Sequence, residues 1–223
     1  RTQCDSCGKC KEVCVYEAFD IIGREVTVQQ VLEEVEKDRI FFDESGGGVT
    51  FSGGEPLVQP DFLEALLVEF KTRGIRTTVD TSGYAPFEIL DRVSDNVDLY
   101  LYDIKIMDEK KHKDYSGVSN RIILENLRRL SEKDKRICIR IPIIPGINDD
   151  RENIESIASY LLSLKNIKKI NLLPFHRGGV QKYKRLGKKN LLDKLQPPSD
   201  EKIEEIKKTL RDFGFSLEKK GEP

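Results

Sequence analysis

The chain has 223 residues, 38% of them hydrophobic and 35% charged, and its 38 Lys and Arg against 39 Asp and Glu leave a net charge of −1. That is too apolar for a disordered chain and suits one large domain or two small ones. With no apolar run of ~18 residues and no basic excess, neither a membrane-spanning protein nor a general nucleic-acid binder is expected.

The first residue is Arg1 and the chain opens inside a cysteine cluster, so a longer protein with its true N-terminus upstream is expected. Cys4, Cys7, Cys10 and Cys14 follow the spacing C-x2-C-x2-C-x3-C, while Cys138 stands alone in an apolar run. A secreted disulfide scaffold spreads its cysteines along a small chain. Zinc ribbons separate their ligand pairs by about a dozen residues. The tight run instead has bacterial ferredoxin spacing, in which three cysteines hold one [4Fe-4S] cluster and the fourth reaches a second. Val15 stands where that run usually has proline, and no second run comes after it. Residues 1–22 are therefore expected to be half of a ferredoxin-like segment, 23–223 the remaining domain, and the compartment a reducing, oxygen-poor cytoplasm.

Thr27, with Gln30 three residues on, signals a capping box before Val28, Val31, Leu32 and Val35 at helical spacing. Val49–Ser52 reads as a strand, and Phe62, Leu63, Leu66, Leu67 and Phe70 line a helix ended by Gly74. Strands are expected over Ile75–Asp80 and Val97–Lys105, then a helix through Ile123, Leu127 and Leu130. Ile137–Ile141 reads as a strand closed by Pro142 and Pro145-Gly146. Asp149 and Glu152 start a helix carrying Ile154, Ile157 and Leu161, and Lys169–Leu173 is a fifth strand. Gly178–Pro198 reads as a basic, proline-punctuated loop with a short helix, and its Lys182–Lys189 stretch as a solvated face. Ile203, Ile206 and Leu210 give a late helix, and Phe213–Leu217 is a candidate sixth strand. Strand-then-helix repeats imply parallel βα units, too few for a closed eight-stranded barrel, so an open α/β sheet or partial barrel is expected.

The residues at the strand ends are informative. The first strand ends in Ser52-Gly53-Gly54-Glu55, the second in Asp80-Thr81-Ser82-Gly83. Asp103 and Lys105, two apart, share a face of the third. Arg140 lies in the fourth, and His176 comes just after the fifth. Ligands of parallel α/β folds bind at the carboxyl edge of the sheet. Taken singly, Asp80 reads as a cap or turn former, and His176 equally as a chance polar residue or a site residue. Together with bare glycine backbone, the set suits a zwitterionic ligand carrying a sugar.

These motifs resemble the activating enzymes of glycyl radical enzymes, within the radical S-adenosylmethionine superfamily. The likeness runs from about Cys4 to His176. It is carried by the stretch from Ser45 to Pro56, by Val79-Asp80-Thr81-Ser82-Gly83-Tyr84, by Tyr102-Asp103-Ile104-Lys105 and by Tyr115-Ser116-Gly117-Val118-Ser119-Asn120. Ile139-Arg140-Ile141-Pro142 with Pro145-Gly146, and Leu172-Leu173-Pro174-Phe175-His176, complete it. The resemblance implies a partial (β/α)6 TIM-like barrel, here lacking its first strand, preceded by the ferredoxin-like segment. It implies that a [4Fe-4S] cluster reductively cleaves S-adenosylmethionine, and that the resulting 5′-deoxyadenosyl radical takes hydrogen from a glycine of a partner enzyme. It places Gly53, Gly54 and Glu55 at the methionine amino group, and Asp80, Asp103, Lys105, Arg140 and His176 around the rest of the ligand. Asp80 and Asp103 are candidates for a monovalent cation, and flavodoxin or ferredoxin for the electron donor.

The sequence departs from the family in lacking its catalytic C-x3-C-x2-C run, so these residues alone are expected to be inactive. A ferredoxin-type electron-transfer module is the alternative from another class, opposed by Gly53-Gly54-Glu55, since an electron carrier needs no nucleoside site. A radical S-adenosylmethionine enzyme acting on a small molecule is the third reading. The identity of the glycyl radical partner is not legible.

Overall fold

The computed structural model describes residues 5, 7–18, 21, 23–177, 192 and 194–217. Cys4, the Lys182–Lys189 stretch and most of Gly178–Pro198 lie outside them.

Among the described residues, six strands form one sheet in strict sequence order, every neighbouring pair parallel. They are β1 Gly48–Phe51, β2 Arg76–Thr81, β3 Leu99–Asp103, β4 Ile137–Ile143, β5 Lys169–Pro174 and the two-residue β6 Ser216–Leu217. The helices are a single turn α1 Lys9–Glu12, α2 Val28–Glu36, α3 Arg39–Ser45, α4 Pro60–Thr72, α5 Phe87–Ser94, α6 Glu109–Ser116, α7 Arg121–Glu132, α8 Arg151–Leu162 and α9 Asp200–Asp212. The expected open α/β sheet is therefore present, with the sixth strand reduced to two residues.

Alternation along the strands decides which face meets the helices. Val79, Tyr100, Tyr102, Ile139, Ile141 and Ile170 are fully buried in the main core with Leu90, Leu127, Ile157 and Leu210 of α5, α7, α8 and α9. Each such side chain removed from water contributes roughly 1.5–3 kcal/mol. Thr78, Asp80, Leu101, Asp103 and Arg140 alternate with these and are only partly buried. A second cluster, Leu32, Leu66, Phe70 and Ile75, seats α2 on α4. The capping box forms as the sequence predicts: Thr27 Oγ1 accepts from Gln30 N at 3.2 Å, and Gln30 Oε1 from Thr27 N at 2.9 Å.

Three expectations are corrected. β4 runs through Pro142 to Ile143, because the missing N–H of Pro142 falls past the last β3–β4 pair, Asp103 with Arg140. Lys105 lies beyond β3, which ends at Asp103. The cap of α8 is Asp150, whose carboxylate accepts from Asn153 N at 2.9 Å, while Asp149 accepts from Gly146 N. Two helices not expected from the sequence differ in kind: α5 carries a stripe of buried Phe87, Leu90 and Val93, whereas α6 carries none. Helix α6 is Glu-Lys-Lys-His-Lys-Asp-Tyr-Ser with only His112 buried; it is defined by the Asp108 cap at its start and by Gly117, at φ 83°, past its end.

Candidate functional site

The site is built where β1 to β5 end. Arg140 on β4 sits in register with Asp103 on β3, and its Nε lies 3.1 Å from Asp103 Oδ1. Its Nη1 reaches past β3 to Asp80 Oδ2 on β2, at 2.9 Å. Lys105 Nζ donates to the other oxygen of Asp103 at 3.0 Å, and Ser52 Oγ donates to Asp80 Oδ2 at 2.8 Å. One chain of charge-assisted bonds thus runs from the β1 loop to β4. Asp80, Asp103 and Arg140 are 17, 16 and 20% exposed, so these pairs are shielded well beyond ordinary surface ion pairs, whereas Lys105, at 36%, still faces solvent.

Glu55 belongs to a second, adjoining knot. Its Oε1 accepts from Thr81 Oγ1 at 2.6 Å and from Leu57 N at 3.4 Å; its Oε2 accepts from Ser82 N at 2.9 Å and Ser82 Oγ at 2.7 Å. Four donors use the acceptor capacity of a carboxylate. Glu55 thereby ties the loop after β1 to the end of β2. Beneath that loop end, Asn126 Nδ2 on α7 donates to the carbonyls of Gly83 and Ala85, both at 2.8 Å. Gly83 itself has φ 70°, and a Cβ there would lie 1.7 Å from the Tyr102 hydroxyl. Burial raises the pKa of that hydroxyl, with Tyr160, Glu55 and Tyr100 adding to the effect, and it donates to Ile123 O at 2.7 Å.

Gly53 and Gly54 lie between β1 and Glu55, Gly53 at φ 125°, with open space where a side chain on either would project. His176 lies two residues past β5 and is exposed at the same edge. The structure thus brings Glu55, Asp80, Asp103, Lys105 and Arg140 into two adjoining networks and leaves His176 on the rim. Missed in the sequence were Ser52, Thr81 and Ser82 as partners of the carboxylates; their hydroxyls at strand ends were the available signal.

This donor set fits S-adenosylmethionine by its chemistry. Open glycine backbone, two shielded carboxylates and a partly exposed lysine match an amino acid joined to a ribose. For iron–sulfur clusters the donors are right in kind: Cys7 and Cys10 are exposed free thiols and Cys14 is partly buried. Among the described residues no three His, Cys, Asp or Glu side chains are placed to hold one metal ion.

The family model of the Radical SAM superfamily matches residues 7–158. The chain is 46% identical over 205 residues to the trans-4-hydroxy-L-proline dehydratase activating enzyme of Clostridioides difficile, covering 91% of this chain and 68% of that protein. It is 40% identical over 189 residues to the pyruvate formate-lyase-activating enzyme of Staphylococcus epidermidis, covering 82% of this chain and 75% of that one. Among solved structures, a domain of the pyruvate-formate lyase-activating enzyme from Bacteroides vulgatus superposes with a TM-score of 0.67 at 40% identity, covering 78% of this chain and 99% of that one. The chain belongs to the radical SAM superfamily and, within it, to the activating enzymes of glycyl radical enzymes. It spans about two thirds of the length of the first of these relatives.

Proposed function

We propose that this protein activates a glycyl radical enzyme, binding S-adenosylmethionine at the carboxyl edge of its sheet. The observation that carries the reading is the shielded Asp80–Arg140–Asp103–Lys105 network beside the open Gly53–Gly54 backbone. Gly53 and Gly54 present amide and carbonyl groups to the methionine end, while Glu55 holds their loop in place. Arg140 fixes Asp80 and Asp103 in position, where they can take an ammonium, a ribose hydroxyl or a monovalent cation. Lys105 meets the ligand carboxylate, and His176 on the rim lies toward the adenosine. When bound, S-adenosylmethionine and a reduced [4Fe-4S] cluster supply the hydrogen-abstracting chemistry, with a flavodoxin or ferredoxin as electron donor. Cys4, Cys7 and Cys10 serve one auxiliary cluster and Cys14 a second, within a ferredoxin-like segment over residues 1–22. The C-x2-C-x2-C-x3-C spacing of the four cysteines supports that division. The protein works in a reducing cytoplasm, and no helix among the described residues is long and apolar enough to cross a membrane.

A dehydratase of the kind named for the 46% identical relative is the first partner to try. The full chain, reconstituted with iron and sulfide under anaerobic conditions, should form 5′-deoxyadenosine with a low-potential reductant and raise a glycyl radical signal in its partner. The 223 residues alone, lacking a C-x3-C-x2-C run, should bind little iron and cleave little S-adenosylmethionine. Robust cleavage by these residues alone would overturn the reading.

A further inference from the structure

Past Asp103 the chain leaves the sheet, yet residues 104–107 are held as firmly as a strand. Three asparagines from three other segments do this, and all are buried: Asn148 at 0%, Asn120 at 3% and Asn153 at 6% exposure. Asn148, in the turn after β4, donates through Nδ2 to Lys105 O at 2.9 Å and Pro142 O at 2.6 Å, while its Oδ1 accepts from Ile144 N at 2.7 Å. Asn153, in the first turn of α8, donates to the same Lys105 O at 3.2 Å and to Asn148 O at 2.9 Å, and accepts from Met107 N at 2.9 Å. Asn120, before α7, donates to Ile106 O at 3.0 Å and Met107 O at 2.8 Å.

The β3–β4 ladder stops here: Ile104 N still bonds Arg140 O at 2.9 Å, but Pro142 has no N–H to return to Ile104 O. One residue on, the amide groups of Asn148 and Asn153 converge on the carbonyl of Lys105, whose ammonium is bonded to Asp103. Burying amides is costly unless they are bonded, and each of these is.

We propose that Asn148 and Asn153 are positioning residues for Lys105, fixing the backbone from which its ammonium is presented to the carboxylate of S-adenosylmethionine. The proposal rests on the reading of this edge as the S-adenosylmethionine site.

The test is a double-mutant cycle on S-adenosylmethionine affinity, read by calorimetric titration of the full chain reconstituted anaerobically, with thermal midpoints measured alongside. Lys105→Ala should weaken binding about tenfold and Asn148→Ala several-fold, while the double variant should bind no more weakly than Lys105→Ala alone. Should Asn148→Ala fail to fold, Asn153→Ala carries the same cycle, because it leaves the three side-chain bonds of Asn148 in place. Losses that multiply in the double variant, or an asparagine variant that lowers only the thermal midpoint, would overturn the proposal while leaving the site intact. Unchanged affinity in Lys105→Ala would overturn the site reading and the proposal together.

Discussion

The hydroxyl of Tyr102 fills the space in which a side chain on Gly83 would have to begin, the two being on neighbouring strand ends. No rotamer of Tyr102 can relieve this cheaply, since its ring is fully buried and its hydroxyl is bonded to Ile123 O. Gly83→Ala should therefore cost roughly 2–5 kcal/mol, from overpacking and from a positive φ together. Urea denaturation measures this, and a loss below about 1 kcal/mol would show that the loop shifts freely.

Glu55→Gln tests what the carboxylate is for. An amide nitrogen would face the backbone N–H of Ser82 in one orientation or that of Leu57 in the other, donor against donor, and one anchor of the loop would be lost. The expected outcome is a stability loss of about 1 kcal/mol together with a several-fold weaker hold on S-adenosylmethionine. Unchanged stability with lost binding would mean that the carboxylate meets the ligand itself.

Two adjacent core tyrosines should respond oppositely to loss of the hydroxyl. Tyr100 Oη is buried with no hydrogen-bond partner among the described residues, whereas Tyr102 Oη has one. Tyr100→Phe should be neutral or stabilising by up to about 1 kcal/mol, and Tyr102→Phe destabilising by about 1 kcal/mol. Paired denaturation curves decide; equal losses would contradict the assignment.

Alkali should unfold the protein through the same residues. Burial, aided by neighbouring carboxylates, raises the pKa of Tyr100, and it is the leading cause of the rise at Tyr102 as well. Burial and then Glu125 push Tyr160 up to about 12, partly offset by Arg128. An unfolded tyrosine ionises near pH ~10, so these groups bind more protons folded than unfolded above that pH. Their contribution is whole below about pH 10 and is lost as pH rises toward the folded values. Denaturation midpoints at about pH 8, 10 and 11 should fall across the last interval, and less so in Tyr160→Phe.

The parallel sheet and its charged edge were legible because both rest on short-range pattern. Apolar runs alternate with helical spacing, and Asp80, Asp103 and Arg140 stand among β-branched and aromatic neighbours where a buried strand should have none. The pairing of Arg140 with two strands at once was not legible, since register between distant segments leaves no local mark. Nor were the asparagines. Asn148 and Asn153 look like turn and cap residues, and only the course of the chain after β3 gives their amides a task. Helix α6 was hidden for the converse reason: a helix that buries little besides His112 carries no apolar stripe.

The order of the strands has a consequence for how the molecule comes into being. Because each strand pairs with the ones immediately before and after it along the chain, no strand must wait for a distant partner. A polypeptide emerging from the ribosome can add βα units one at a time to a growing edge, each new helix covering the face its strand has just extended. Asp80 would then be in place before Asp103 and its partner Lys105, and all three before Arg140, so Asp80 stands without its cationic partner until the fourth strand arrives. The arrival of that strand closes the charge network, joining both acids through a single guanidinium.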